Sequence, residues 1–165
     1  MVLSQLSVLL QAWQTQYSDA PVLQTAVSFV HLGGLLLGGG VAVATDTATL
    51  RAARASRAER TRRLADLQRA HLVVLSGLAA IIVSGLLIFA ADLETYLTSP
   101  IYWIKMGIVA LLLANGFFMH RAGRAMSSSG DDIDRAWVRL RRSALTSYAL
   151  WFASVLAGAA LVNLG

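Results

Sequence analysis

Four long apolar segments dominate this sequence and restrict the structures that it can form. They cover approximately residues 22–44, 70–91, 101–119 and 143–162. Each holds about 19–23 residues, the length that an α-helix needs to cross about 30 Å of bilayer hydrocarbon. A backbone in lipid must satisfy its own polar groups, and outside closed barrels only helices do so. The sequence therefore predicts an all-α fold, a bundle of four transmembrane helices, for the domain 22–165.

The first 21 residues form a separate unit ahead of these segments. Leu3, Leu6, Leu10 and Trp13 recur near helical spacing, and several glutamines supply the polar faces. The basic stretch that begins a signal peptide is missing. This pattern is typical of an amphipathic helix that lies on a membrane surface or docks on a partner. Residues 1–21 are therefore predicted to form a short interfacial helix on the outer side, ending before Pro21.

Charge is distributed very unevenly along the chain. Of the 14 Lys and Arg residues, 13 are arginines within 51–69 or 121–142, and the other is Lys105. The remaining connecting and terminal segments carry Asp19, Asp92 and Glu94 but no base. By the positive-inside rule, the two arginine-rich loops face the cytoplasm and both chain ends face outside. These loops suit anionic lipid head groups, whereas a nucleic-acid partner is not expected because aromatic residues do not alternate with the arginines.

Composition and missing motifs exclude several classes of function. With 56% hydrophobic and 14% charged residues, the chain is unlike a soluble domain. It has no cysteine, which excludes disulfides, thiolate metal sites and cysteine nucleophiles. Phosphate-loop, dinucleotide-binding, serine-hydrolase and zinc-hydrolase motifs are also missing. A membrane protein with a cofactor, an accessory subunit and a transporter remain.

Four ionisable side chains fall within or at the edges of the apolar segments, where they are costly and usually functional. From a rise of about 1.5 Å per residue, His31 lies about 3 Å and Lys105 about 7–8 Å to the outer side of the midplane. His71 and His120 each lie about 14–15 Å to the inner side. Two pairs are therefore predicted, His31 with Lys105 and His71 with His120.

Each pair has a functional and a structural interpretation. Haem b needs one or two axial ligands at matched depth beside an apolar slot, and neutral imidazole is a common ligand. Two such sites would suit electron transfer across the membrane. Alternatively, His71 and His120 are solvated or face lipid at the head-group boundary, and Lys105 extends outward to Asp92 or Glu94. Copper ranks second to haem, because the methionines are scattered and no Met-rich motif exists.

Small and polar residues inside the segments predict how the helices meet. Gly34 and Gly38 form a small-xxx-small pair, which favours close helix packing or leaves room for a flat cofactor. Ser84 and Asn115 are expected to form hydrogen bonds between helices.

Three short motifs within residues 22–121 carry a family resemblance. They are Val30–Gly33, then Ser84–Leu87 followed by Ala91, Asp92 and Tyr96, and finally Ser99–Lys105. Together they resemble small bacterial four-helix membrane proteins of the CopD-like kind and, more distantly, HemJ-type protoporphyrinogen oxidases. The resemblance implies a bacterial inner-membrane protein that holds haem or copper. In HemJ-type proteins a first-span histidine and a third-span lysine are tied to haem b, and these match His31 and Lys105.

We therefore expect an integral membrane b-type haem protein in electron transfer, with or without an oxidoreductase activity of its own. His31 is the first ligand candidate, and Lys105, His71 and His120 are further cofactor-binding candidates. A cofactor-free subunit of a larger membrane complex or homo-oligomer is one alternative. A copper transport or resistance protein is the other.

Overall fold

The computed structural model describes residues 2–51, 57–128 and 133–164, without the side chains at 2–4, 6, 57–69, 120, 122–128 and 133–136. Over these residues the chain is almost entirely helical and contains no strand. The helices are α1 (Val2–Asp19), α2 (Pro21–Gly34), a π-helical segment (Leu35–Gly39), α3 (Gly40–Arg51), α4 (Arg57–Ala91), α5 (Leu93–Thr98), α6 (Pro100–Ser128) and α7 (Ile133–Leu164).

Four stretches of the described helices are long and apolar enough to cross a membrane. They are Pro21–Arg51, Ala70–Ala91, Pro100–Met119 and Trp137–Leu164. The predicted all-α fold with four transmembrane helices is confirmed. We call the end of the bundle that holds α5 the α5 end, and the opposite end, where α3 stops at Arg51, the arginine end. Most arginine side chains of the two predicted loops lie outside the described residues.

The first span is longer than its predicted range of 22–44. It continues helically through a threonine-rich stretch to Arg51. The hydroxyls of Thr45, Thr47 and Thr49 each donate to the carbonyl oxygen four residues earlier. Because these polar side chains are satisfied by their own helix, the helix can extend well past its most apolar part.

The closest helix packing joins the first span to α4 through three glycines. A Cβ built on Gly77 would lie 2.6 Å from the Cα of Gly38 and 2.8 Å from the carbonyl oxygen of Gly34. No side chain larger than hydrogen fits there without moving a backbone. Gly34 and Gly38 therefore allow two helices to approach closely. Of the two interpretations of this pair, close helix packing is the one that the structure supports.

The π-helical segment interrupts the first span just before its contact with α7, a feature for which the sequence offered no prediction. Such segments change which side chains share a face of the helix. Gly38 packs on α4, whereas a Cβ on Gly39 would lie 3.0 Å from the Trp151 ring of α7. Trp151 forms a buried apolar cluster with Ala42 and Leu112, so the first span and α7 meet α6 at mid-bundle.

At the α5 end, aromatic side chains connect α1, α4, α5 and α6. The Trp13 indole N–H of α1 donates to the carbonyl oxygen of Leu87 at 2.9 Å. The rings of Phe89 and Tyr102 stack with their centroids 5.1 Å apart, and Tyr96 lies 5.5 Å from Tyr102. These contacts hold α1 and α5 over the end of the bundle.

Candidate functional site

His31 lies half-buried on α2 and makes a defined hydrogen bond to α4. Its Nδ1 is 2.9 Å from the Oγ of Ser84, a side chain that is 2% exposed. The Ser84 hydroxyl donates its only proton to the carbonyl oxygen of Ala80. We therefore assign the serine oxygen as an acceptor from the ring, which places the proton on Nδ1. In a neutral imidazole this leaves the lone pair on Nε2, the atom that could bind a metal.

Local sequence explains how a histidine reaches α4 at this depth. Serine is tolerated in a helix when its hydroxyl bonds the preceding turn, as Ser84 does with Ala80. The next residue is Gly85, and a Cβ built there would lie 3.3 Å from Cε1 of His31. The adjacent serine and glycine thus provide a hydrogen-bond acceptor and the space for the ring. The predicted hydrogen bond between helices at Ser84 is confirmed.

Lys105 approaches the same region from α6. Its charge acts on His31, and its Nζ lies 3.6 Å from the position of a Cβ built on Gly158 of α7. The lysine is half-buried, and the glycine leaves space for its ammonium group. Residues from all four spans therefore contribute to one polar region in the half of the bundle nearer the α5 end. We call His31, Ser84 and Lys105 the His31 site.

The other two histidines lie far from the His31 site. His71 is half-buried and precedes Ser84 on α4 by 13 positions, or about 20 Å along the axis. His120 follows Lys105 on α6 by 15 positions, or about 22 Å, and its side chain lies outside the described residues. The two helices that carry them have little direct backbone contact where they are described. The pair of His71 with His120 stays a prediction.

Metal-ligand clusters are missing from the described part of the chain. No group of three or more His, Cys, Asp or Glu there could hold a metal ion. The His31 site supplies one imidazole nitrogen and no carboxylate. It could thus provide an axial ligand to a metal that brings its own equatorial ligands, but not a complete shell for a bare ion.

A second polar region lies toward the arginine end. Asn115 of α6 donates to the carbonyl oxygen of Ser143 at 2.9 Å and accepts from the Ser143 hydroxyl at 2.8 Å. This confirms the hydrogen bond predicted for Asn115. On the facing helix α3, Asp46 is 2% exposed and receives a hydrogen bond from Ser147 of α7.

Asp46 is the ionisable group that the sequence did not single out. It lies just beyond the predicted end of the first span at residue 44, where it would have been a loop residue. The alternating threonines at 45, 47 and 49 are the signal that could have found it. Because threonine can bond its own helix backbone, such a run is compatible with a helix that carries Asp46 back into the bundle.

Comparisons of the chain with protein-family models, with curated proteins and with solved structures found no match. The CopD-like and HemJ-like resemblance therefore stays an interpretation of the short motifs around His31, Ser84 and Lys105.

Proposed function

We propose that this chain is an integral membrane b-type haem protein that transfers electrons, with Nε2 of His31 as an axial ligand. The observation that carries the proposal is the hydrogen bond from Nδ1 of His31 to Ser84. Metal-binding histidines usually donate their other ring N–H to a fixed acceptor, which sets the tautomer and the ring orientation. A buried serine that can only accept from the ring supplies that condition.

The ligand inventory favours haem over a bare metal ion. A porphyrin brings four equatorial nitrogens, so the protein need supply only one or two axial ligands. Copper would require its ligands from the protein, and the described residues offer no group of three. A bound haem would supply one-electron redox chemistry, while His31, Ser84 and the surrounding apolar helices would hold it and exclude water.

Lys105 would supply charge rather than a metal ligand in this arrangement. An ammonium group inside a bilayer is costly unless an anion or water offsets its charge. The haem propionates are carboxylates of the right sign. Lys105 lies half-buried on α6 within electrostatic range of His31, so it would pair with a propionate of the same ligand.

The charge pattern supports one orientation in a bacterial inner membrane. The arginine end would face the cytoplasm and contact anionic lipid, and both chain ends with α1 and α5 would face outside. The His31 site would then lie in the outer half of the bilayer. Electrons would enter or leave there through a redox partner, or through a substrate if the chain is itself an oxidoreductase.

The test is a visible absorption spectrum of the detergent-purified chain from haem-supplied cells, oxidised and then reduced with dithionite. A Soret band and sharp reduced α and β bands are expected. His31→Ala should remove the haem bound at this site. Leu32→Ala is the matched control, because this neighbouring side chain is 58% exposed and does not belong to the site.

Two results would contradict the haem proposal. One is a colourless wild-type protein that is folded and came from cells with ample haem. The other is a His31→Ala protein with the same haem content and spectrum as Leu32→Ala. A partial loss in His31→Ala would point to a second haem, for which His71 and His120 are the candidate ligands.

A cofactor-free accessory subunit is the second candidate function. A Cβ built on Gly33 or on Gly40 of the first span would meet no atom within 4 Å among the described residues. Small residues on an open helix face allow a further helix to pack closely. This candidate predicts a colourless protein that co-purifies with a larger membrane complex. Stoichiometric copper in a colourless protein would instead favour metal transport.

A further inference from the structure

Asp46 combines deep burial with an incomplete set of hydrogen bonds. The side chain is 2% exposed on α3, and its Oδ2 has no hydrogen-bond partner among the described residues. Ser147 of α7 provides a hydrogen bond to the carboxyl group. The neighbouring buried hydroxyl of Thr49 donates its hydrogen bond to the carbonyl oxygen of Thr45. One carboxyl oxygen therefore faces the helix interface without a donor.

No arginine side chain that the structure describes is buried beside Asp46. On its own helix, Arg51 is exposed. On α7, the guanidinium groups of Arg139, Arg141 and Arg142 are exposed as well. On α4, His71 has interactions of its own, and the arginines and acids of 57–69 have no described side chains. Within the described part of the chain, burial and the Ser147 hydroxyl are the influences found on the Asp46 carboxyl.

We propose that Asp46 is a proton-binding site in the half of the bundle nearer the arginine end. An ionised carboxylate that is buried without a positive partner is very costly, and such a group neutralises by taking up a proton. One proton on Oδ2 removes the charge and requires no additional ligands. The other oxygen keeps its bond from Ser147.

A metal cation fits Asp46 less well than a proton does. Sodium, magnesium and calcium ions require several oxygen ligands around one point. Among the described residues, Asp46 belongs to no group of three or more His, Cys, Asp or Glu that could hold a metal ion. The Asp46 side chain is 2% exposed, so few water molecules could complete a coordination shell around such an ion.

Protons would reach Asp46 from the arginine end. The residue lies five positions before Arg51, the last residue of α3, or about 7–8 Å along the axis. Toward the α5 end, the apolar cluster of Ala42, Leu112 and Trp151 separates it from the His31 site. Uptake forms the Asp46 O–H bond with a proton from water on the arginine side, and release returns that proton to the same side.

The proposal is independent of haem, and its test uses the apo or holo full-length chain in detergent. The protein is treated with dicyclohexylcarbodiimide, an apolar reagent that adds to protonated carboxyl groups. The carboxyl oxygen attacks the carbodiimide carbon, the acid proton moves to nitrogen, and acyl migration gives a stable N-acylurea with no leaving group. Peptide mass mapping then locates the adduct.

Asp46 should be the labelled residue, and Asp46→Asn should carry no adduct in that peptide. The exposed Asp92 at the start of α5 is the internal control and should stay unlabelled. Above the carboxyl pKa, the rate at Asp46 should fall about tenfold per pH unit as the protonated fraction falls. Because the adduct is mapped in the wild type, the result does not depend on whether Asp46→Asn folds.

Two outcomes would overturn the proposal. The first is folded protein in which Asp46 gives neither an adduct at any pH nor a carboxylic acid C=O band that Asp46→Asn removes. The second is protection of Asp46 by sodium or potassium chloride at fixed pH and ionic strength, which would assign the residue to a metal cation instead. An infrared spectrum gives an independent check, since Asp46→Asn should remove a carboxylic acid C=O band and Ser147→Ala should shift that band to higher frequency.

Discussion

Gly77→Ala tests the central packing contact of the structure. The new Cβ would lie 2.6 Å from the Cα of Gly38 and 2.8 Å from the carbonyl oxygen of Gly34. Ordinary contacts of a Cβ are 3.4–4 Å, so α4 and the first span would have to separate by roughly 1 Å. Because both obstacles are backbone atoms, no side-chain rotation can relieve the clash.

The expected magnitude follows from two opposing terms. Overpacking of this kind costs about 1–3 kcal/mol, whereas replacing a helical glycine by alanine gains about 1 kcal/mol. Gly33→Ala is the matched control, because its Cβ would meet no described atom within 4 Å and it shares the propensity gain. Gly77→Ala should therefore be less stable than Gly33→Ala by about 1–3 kcal/mol.

The assay is reversible unfolding of both variants in mixed micelles with increasing dodecyl sulfate, followed by circular dichroism. Tryptophan fluorescence provides a second probe, since Trp151 packs on the first span next to this contact. Equal free energies of unfolding for Gly77→Ala and Gly33→Ala would refute the inferred packing of the first span on α4.

Three further predictions concern single side chains. Ser84→Ala removes the hydrogen-bond acceptor of the His31 ring. If haem is bound, this change should lower the affinity of the protein for haem about 10–100-fold without abolishing binding, as measured by haem titration. An unchanged affinity would show that Ser84 does not orient His31 for haem. Asn115→Ala should lower the free energy of unfolding by about 0.6–1.7 kcal/mol in the mixed-micelle assay, because it removes the two hydrogen bonds of the Asn115 side chain to Ser143. An unchanged free energy of unfolding would show that these bonds are made equally well in the unfolded state. Burial, with a contribution from Asp92, raises the pKa of Tyr96 above its usual 10.0, so the contribution of Tyr96 to stability should be constant below pH 10.0 and fall as the pH rises toward the folded pKa. Asp92→Asn should bring the phenol titration, followed by ultraviolet absorbance, to lower pH.

The number of spans and their order could be predicted from local composition. A run of about 20 apolar residues identifies a transmembrane helix because transfer to lipid is a property of the segment itself. The hydrogen bonds at Ser84 and Asn115 could be predicted for a related reason, since serine and asparagine side chains inside such helices commonly bond across to another helix. The depth estimate for His31 and Lys105 used only the rise per residue.

The contacts of Asp46 could not be predicted from local composition. Its burial depends on a helix that continues past the apolar run, and this continuation depends on threonines that bond their own backbone. Threonine and aspartate lower the local hydropathy there, although the stretch belongs to the candidate span Pro21–Arg51. The boundary at residue 44 was therefore drawn ahead of a carboxyl group that the tertiary structure encloses.

What the sequence by itself determined is the set of helices, their order along the chain and the uneven placement of arginine. What only the tertiary structure decided is which helix faces meet: Gly77 on Gly34 and Gly38, His31 on Ser84, and Asp46 beside Ser147. The reason is that lipid and protein interior are about equally apolar, so a membrane helix carries little periodic signal for its buried face. The π-helical segment adds to this, because it changes the register between the two halves of the first span.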